Sequence, residues 1–211
     1  MRVGVLLSGR GSNLAALIEA CEDPEFPAEI TLVVSNKEDA GGLERARKAG
    51  IAAVAIDHRP FESREAHEAK IDSCLKEHQI ELVCLAGYMR ILTDTLVSRW
   101  TGKMINIHPS LLPLFKGLDT HQRALVTGVK LHGCSVHFVN GELDGGAIIA
   151  QGAVPVRSDD DADSLADRVL IMEHRLYPHA LGLVAAGKAC LVGGKTQISA
   201  DAETSLMDVP A

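Results

Sequence analysis

The 211 residues are 46% hydrophobic and 23% charged, the balance of a soluble globular chain with room for one substantial domain and little more. A formal net charge of -7 with no long basic run argues against a nucleic-acid or anionic-membrane partner, and no apolar stretch approaches the ~20 residues of a membrane span. The five cysteines, Cys21, Cys74, Cys84, Cys134 and Cys190, form no C-x-x-C, which speaks for buried thiols in a reducing cytoplasm rather than a disulfide framework or a zinc site.

The amino terminus runs straight into an apolar strand, Arg2–Leu7, and is too short before Ser8-Gly9 for a secretion signal. Further strands are expected at Ile30–Ser35, Ala52–Ile56, Leu82–Ala86, Lys103–Ile107, Leu131–Val139 and Ala147–Val156. Between them, helical patterns cover Ser12–Cys21, Gly42–Ala49, Ser63–His78, Thr93–Ser98, Leu118–Thr127 and Ser164–Ala186. Short apolar strands alternating with helices predict an α/β fold, a mostly parallel sheet covered on both faces. The last two strands are joined by the short loop Asn140 to Gly146, too short for a parallel crossover, so they should pair antiparallel. Asp159, Asp160, Asp161 and Asp163 precede the last helix, where carboxylates cap free amides; a calcium loop would need a glycine and a bidentate glutamate that are absent from this stretch. The expected domain is 1–195, with residues 196–211 a loose polar tail.

Three constellations carry chemistry. The first, Ser8-Gly9-Arg10-Gly11-Ser12-Asn13-Leu14, follows the first strand and opens the first helix, so its glycines and helix amides suit an anion. Leu14 stands where a dinucleotide fingerprint has its third glycine, and no Gly-Lys-Ser/Thr follows, so a single phosphate monoester fits better than a dinucleotide. A tight strand-to-helix turn capped by Ser12 is the plain alternative. The second is Asn106 and His108 in Met104-Ile105-Asn106-Ile107-His108-Pro109. Two apart on a strand, they share a face, and Pro109 ends the strand just beyond them. An amide donor beside an imidazole suits a carbonyl that becomes an oxyanion while a proton moves; a polar pair satisfied by loop backbone is the bland reading. The third is Asp144, whose carboxylate could orient the His108 ring and favour its cation, although an acid in a glycine-rich turn is usually a turn residue. His132 and His137, like His174 and His179, are spaced wrongly for one metal, and no zinc site is readable.

Four stretches in order add a resemblance: Ser-Gly-Arg-Gly-Ser-Asn-Leu; Leu85-Ala86-Gly87-Tyr88-Met89-Arg90-Ile91-Leu92; Asn-Ile-His-Pro-Ser-Leu-Leu-Pro from Asn106; and Gly133-Cys134-Ser135-Val136-His137-Phe138-Val139, followed by Glu142-Leu143-Asp144-Gly145-Gly146. From residue 1 to about 185 the chain resembles the phosphoribosylglycinamide formyltransferases, folate-dependent enzymes of purine synthesis. The resemblance implies a three-layer Rossmann-like formyltransferase fold. It implies transfer of formyl from 10-formyltetrahydrofolate, a co-substrate, to the amine of glycinamide ribonucleotide. Residue spacing and cysteine usage add the expectation of no metal and a cytoplasmic protein, a monomer or homodimer whose oligomeric state the sequence does not reveal. The resemblance also implies the sites: Asn106, His108 and Asp144 catalytic; Gly11, Ser12, Asn13, Leu14 and Glu173 for the ribonucleotide; Arg64, Met89, Arg90, Ile91, Leu92, Asn106, Asn140, Gly141, Glu142, Leu143 and Asp144 for folate. Lys116, Asp119 and Ala147 depart from the family pattern and are expected to leave the trio untouched. Among rivals, a methionyl-tRNA formyltransferase would carry an added basic carboxyl-terminal domain, and a formyltetrahydrofolate deformylase an amino-terminal regulatory one. A Rossmann-like binding module without catalysis would leave the Asn-x-His pair structural.

Overall fold

The computed structural model describes residues 1–202. Two compact units divide the chain, the first Met1–Asn106, the second from Ile107 onward. The seven strands and six helices expected above all form, their ends within two residues of expectation.

The first unit holds β1 (Arg2–Leu7), α1 (Ser12–Cys21), β2 (Glu29–Ser35), α2 (Gly41–Lys48), β3 (Ala52–Ala55), α3 (Arg64–Glu77), β4 (Leu82–Leu85), α4 (Asp94–Arg99) and the start of β5 (Met104–His108). Its strands lie in the order β3-β2-β1-β4-β5 and all run parallel. Val3, Val5, Leu6 and Leu7 are wholly buried, as are Leu32, Val33 and Val34, because a parallel sheet is covered on both faces and its strands have no solvent side. From β1 the chain winds outward to β3, then returns to β4 and β5 on the other side. Right-handed crossovers in opposite directions put helices on opposite faces, and α1 packs with α2 while α3 packs with α4. The reversal falls between β1 and β4, whose loops, starting at Ser8 and Ala86, therefore open side by side at the carboxyl ends of the strands. Such a switch point is where open α/β sheets take ligands.

Helix α3 buries polar side chains among its apolar ones. It buries His67, Glu68 and Asp72 beside Ile71, Cys74 and Leu75. Each of these side chains has a partner for at least one polar atom: His67 Nε2 donates to Ile56 O at 2.8 Å, Glu68 accepts from Thr93 N at 3.0 Å, and Asp72 accepts from Trp100 Nε1 at 3.0 Å, while His67 Nδ1 is buried without one. A buried polar group with its hydrogen bond made does not oppose burial.

The second unit holds the end of β5, α5 (Thr120–Thr127), β6 (Leu131–Phe138), β7 (Ile148–Pro155), α6 (Ala162–Ala185), β8 (Ala189–Val192) and β9 (Lys195–Ile198). Strands β6 and β7 pair antiparallel, as the short loop between them requires, and α6 packs over both. Asp161 caps α6 from the expected acid cluster, its carboxylate accepting from Ser164 N at 2.8 Å while the Ser164 hydroxyl accepts from Asp161 N at 3.0 Å. Asp160 instead takes Arg168, 2.7 Å away, which holds its carboxyl well below the usual range.

One expectation is corrected. Residues 196–198 were placed in a loose tail, but Lys195–Ile198 pairs antiparallel with Ala189–Val192. Gly193 and Gly194 both have positive φ, 56° and 79°, the two-residue turn whose twist suits a hairpin. The Gly-Gly pair between two short runs is the signal in the sequence that could have marked this turn. The rest of the expected tail beyond residue 202 lies outside the described residues.

Candidate active site

In the first unit, the loop after β1 has the form an anion site needs. Gly11 is the N-cap of α1, in the left-handed region at φ 73°, and offers the helix no side-chain cap. The plain alternative, a turn closed by Ser12 as cap, is therefore not what forms: Ser12 is the first helical residue, and Asn13 and Leu14 follow it buried. First-turn amides without a side-chain cap keep the positive end of the helix dipole available. Gly11 is needed for a second reason, because a Cβ there would stand 2.8 Å from Gly42 Cα. In the neighbouring loop, Met89 and Ile91 are 66% and 62% exposed, an unusual display for large apolar side chains, while Arg90 and Leu92 are half-buried. Arg64, the first residue of α3, is exposed, just past the Ser63 cap. Asn106 is half-buried on β5 and pairs with Leu85 of β4.

In the second unit, His108 ends β5 and is buried. Its Nδ1 lies 3.3 Å from Asp144 Oδ2, and both side chains are less than a tenth exposed. Its Nε2 lies 3.0 Å from the Phe115 carbonyl. Each ring nitrogen thus faces an oxygen acceptor, and the ring can satisfy both only with a proton on each. Asp144 is held in turn. It sits in the left-handed region at φ 49°, a conformation Asp and Asn tolerate better than most residues, and Gly117 N donates to its Oδ2 at 2.9 Å. His137 Nε2 lies 3.8 Å from the other carboxylate oxygen. Burial pushes the His137 titration down, and its Nδ1 donates to Phe138 O at 2.8 Å. The loop from Asn140 to Leu143 is exposed and closes on itself, Glu142 N donating to Asn140 Oδ1 at 3.0 Å and Gly145 N to Glu142 O at 3.1 Å.

Beside this pair, His132 Nε2 and His121 Nδ1 are 3.2 Å apart. Burial pushes His132 down to about 4, with the nearby His121 and His108 adding repulsion, so its ring is neutral at ordinary pH. Glu173, buried on α6, faces β6: the Cys134 thiol is pushed up by burial first and by the Glu173 carboxylate second. Among the described residues, no three His, Cys, Asp or Glu side chains could hold a metal ion.

The sequence reading missed the 115–117 loop. Lys116 was expected to leave the trio untouched. Its side chain is exposed, but its neighbours' backbone is against the trio, with the Phe115 carbonyl on His108 and the Gly117 amide on Asp144. Backbone contacts leave no residue-type signature, and only Gly117 hinted at a special turn.

Parallel strands with a Gly-rich loop after β1 make the first unit an α/β nucleotide-type fold, and in the second unit the buried imidazole–carboxylate pair at the end of β5 is a candidate proton-transfer group. The family profile described as formyl transferase matches residues 1–181, and the chain belongs to that family. It is 46% identical over 188 residues to the phosphoribosylglycinamide formyltransferase of Escherichia coli, covering 89% of each chain. It is 50% identical over 186 residues to the human trifunctional purine biosynthetic protein adenosine-3, covering 88% of this chain and 18% of that much longer one. The structure of glycinamide ribonucleotide transformylase 1 from Symbiobacterium toebii superposes with a TM-score of 0.91 at 43% identity, covering 94% of both chains.

Proposed function

We propose that the protein transfers the formyl group of 10-formyltetrahydrofolate to the amine of N1-(5-phospho-D-ribosyl)glycinamide, giving the N-formyl product of de novo purine synthesis. The observation that carries this reading is the buried His108–Asp144 pair, 3.3 Å apart at the end of β5, in a chain of this family. The glycinamide amine attacks the formyl carbon, and the carbonyl oxygen takes up negative charge. Asn106 and the His108 Nε2 proton are the donors for that oxyanion, which would share or replace the Phe115 carbonyl as acceptor. Asp144 keeps the ring turned and compensates its charge. The tetrahedral intermediate then loses the folate nitrogen, which leaves with a proton, while the attacking nitrogen gives one up; His108, directly or through water, moves it. No covalent enzyme intermediate is needed, so holding the two substrates together supplies much of the acceleration.

In this reading Gly11, Ser12, Asn13 and Leu14 take the ribonucleotide phosphate, and Glu173 its glycinamide end. Arg64, Met89, Arg90, Ile91, Leu92 and the stretch from Asn140 to Asp144 line the folate site. The partners are these two small molecules. No helix among the described residues is long and apolar enough to cross a membrane. A cytoplasmic location suits five cysteines that are all free thiols, and the working assembly is a monomer or homodimer.

The test is to mix the protein with 10-formyltetrahydrofolate, with and without glycinamide ribonucleotide. Formyl product only when the amine is present supports the transferase. Formate released without the amine selects the deformylase, in which water replaces the amine. No turnover in either tube leaves a binding module.

A further inference from the structure

Three strand-end loops of the first unit meet at one hydroxyl. Ser8, 4% exposed, follows β1 directly. Its Oγ donates to Asn36 Oδ1 at 2.5 Å, just past the end of β2, and accepts from Met89 N at 2.9 Å, in the loop after β4. Its backbone N also donates to Gly87 O at 3.0 Å. A hydroxyl has one proton. With that proton committed to the buried Asn36 amide oxygen, an oxygen lone pair is left facing the Met89 amide. Asn36 thus sets the direction in which Ser8 accepts.

The loop so held is one that would not keep its shape unaided. It carries Met89 and Ile91 mostly in solvent, where apolar side chains gain by collapsing onto any nearby apolar surface. Its Tyr88 hydroxyl is buried without a hydrogen-bond partner and adds no tie. Its far end is fixed at Thr93, whose backbone N and hydroxyl both donate to Glu68, itself 4% exposed. Met89 falls between the Gly87 and Thr93 anchors, at the point where the apolar side chains project.

We propose that Ser8, oriented by Asn36, is a positioning residue for folate binding: it holds the Met89–Leu92 loop in its open, apolar-outward shape before the folate arrives. This rests on the assignment of that loop to folate made above. The same residue begins the loop that runs on to Gly11, so one buried side chain ties the backbone root of the phosphate loop to the folate loop. Preorganisation of this kind lowers the ordering cost of binding and shows in KM more than in kcat.

The experiment compares Ser8→Ala, Asn36→Ala, the double variant and Ser8→Thr with the unmodified protein, by hydrogen exchange and by steady-state kinetics. Ser8→Ala is expected to speed amide exchange in peptides covering 86–92 while leaving α6 unchanged. It is expected to raise KM for 10-formyltetrahydrofolate about tenfold, the effect of one lost buried hydrogen bond, with kcat within about threefold. Asn36→Ala should raise the same KM less, and the double variant no more than Ser8→Ala, because both act through one hydroxyl. Ser8→Thr, which keeps the hydroxyl, should restore most of the folate affinity. Unchanged exchange at 86–92 in Ser8→Ala overturns the tie, whatever the protein's activity. Faster exchange with an unchanged folate KM overturns its role in binding. An unmodified protein that transfers no formyl overturns the functional reading instead, and the exchange data still judge the tie. If Ser8→Ala does not fold, the Asn36→Ala exchange and KM decide in its place.

Discussion

Replacing Asp144 by Asn is the sharpest perturbation of the proposed chemistry. Asn keeps the volume, tolerates the left-handed φ of 49°, and can still accept the Gly117 amide, so the turn should survive. What it removes is a negative charge 3.3 Å from His108 Nδ1. Two unit charges at that distance interact by about 5 kcal/mol in an effective dielectric of about 20, which sets a ceiling. The amide oxygen returns part of this, and only the part felt by the transition state more than by the ground state slows the reaction. A fall of about 10²- to 10³-fold in kcat/KM, or about 3–4 kcal/mol, is therefore expected. The assay is initial-rate formyl transfer with both substrates varied, beside a thermal melt to show that the variant is folded. A folded variant within about fivefold of the unmodified enzyme would refute the reasoning, because the charge at 3.3 Å would then contribute less than about 1 kcal/mol to the transition state.

Two further outcomes follow from the same structure. Gly11→Ala forces a Cβ into a left-handed residue and against Gly42, so it should destabilise the protein by about 1–3 kcal/mol and raise KM for the ribonucleotide; unchanged urea and kinetic midpoints would contradict the need for glycine there. The buried His132 takes up its proton only near pH 4, whereas an unfolded chain does so near 6.5. Stability contributed by its neutral ring is present above pH 6.5 and is lost as pH falls toward 4, by about 3 kcal/mol at most. His132→Gln should therefore flatten the decline in unfolding free energy between pH 7 and about 4.5, and an equally steep decline in the variant would exclude His132 as its source.

Local pattern was enough for the first seven strands and the six helices of this chain, because their signals are local. The apolar run Val3 to Leu7 can be stable only between two covering layers, and the Gly-rich loop after it can only turn sharply into a helix. The Asn106-x-His108 spacing likewise follows from strand periodicity alone. Helix α3 was legible as a helix but not as a buried one, since His67, Glu68 and Asp72 look solvent-facing until Ile56, Thr93 and Trp100 arrive as partners from distant segments. The β8–β9 hairpin was hidden for a similar reason, its polar second strand carrying little apolar signal.

What tertiary structure decided was partnership. Asp144 lies 36 positions beyond His108, and nothing in its glycine-rich turn distinguishes it from an ordinary turn acid; the fold brings it to 3.3 Å from the ring. The Phe115 carbonyl, the Gly117 amide and the Ser8–Asn36–Met89 tie were equally invisible. Each uses backbone groups that every residue possesses, or a serine and an asparagine that could have faced solvent. Sequence pattern determines which segments become strands and helices because that choice depends on neighbours a few residues away. Which polar atoms meet depends on loop closures across tens of residues, and those are settled only when the whole core packs.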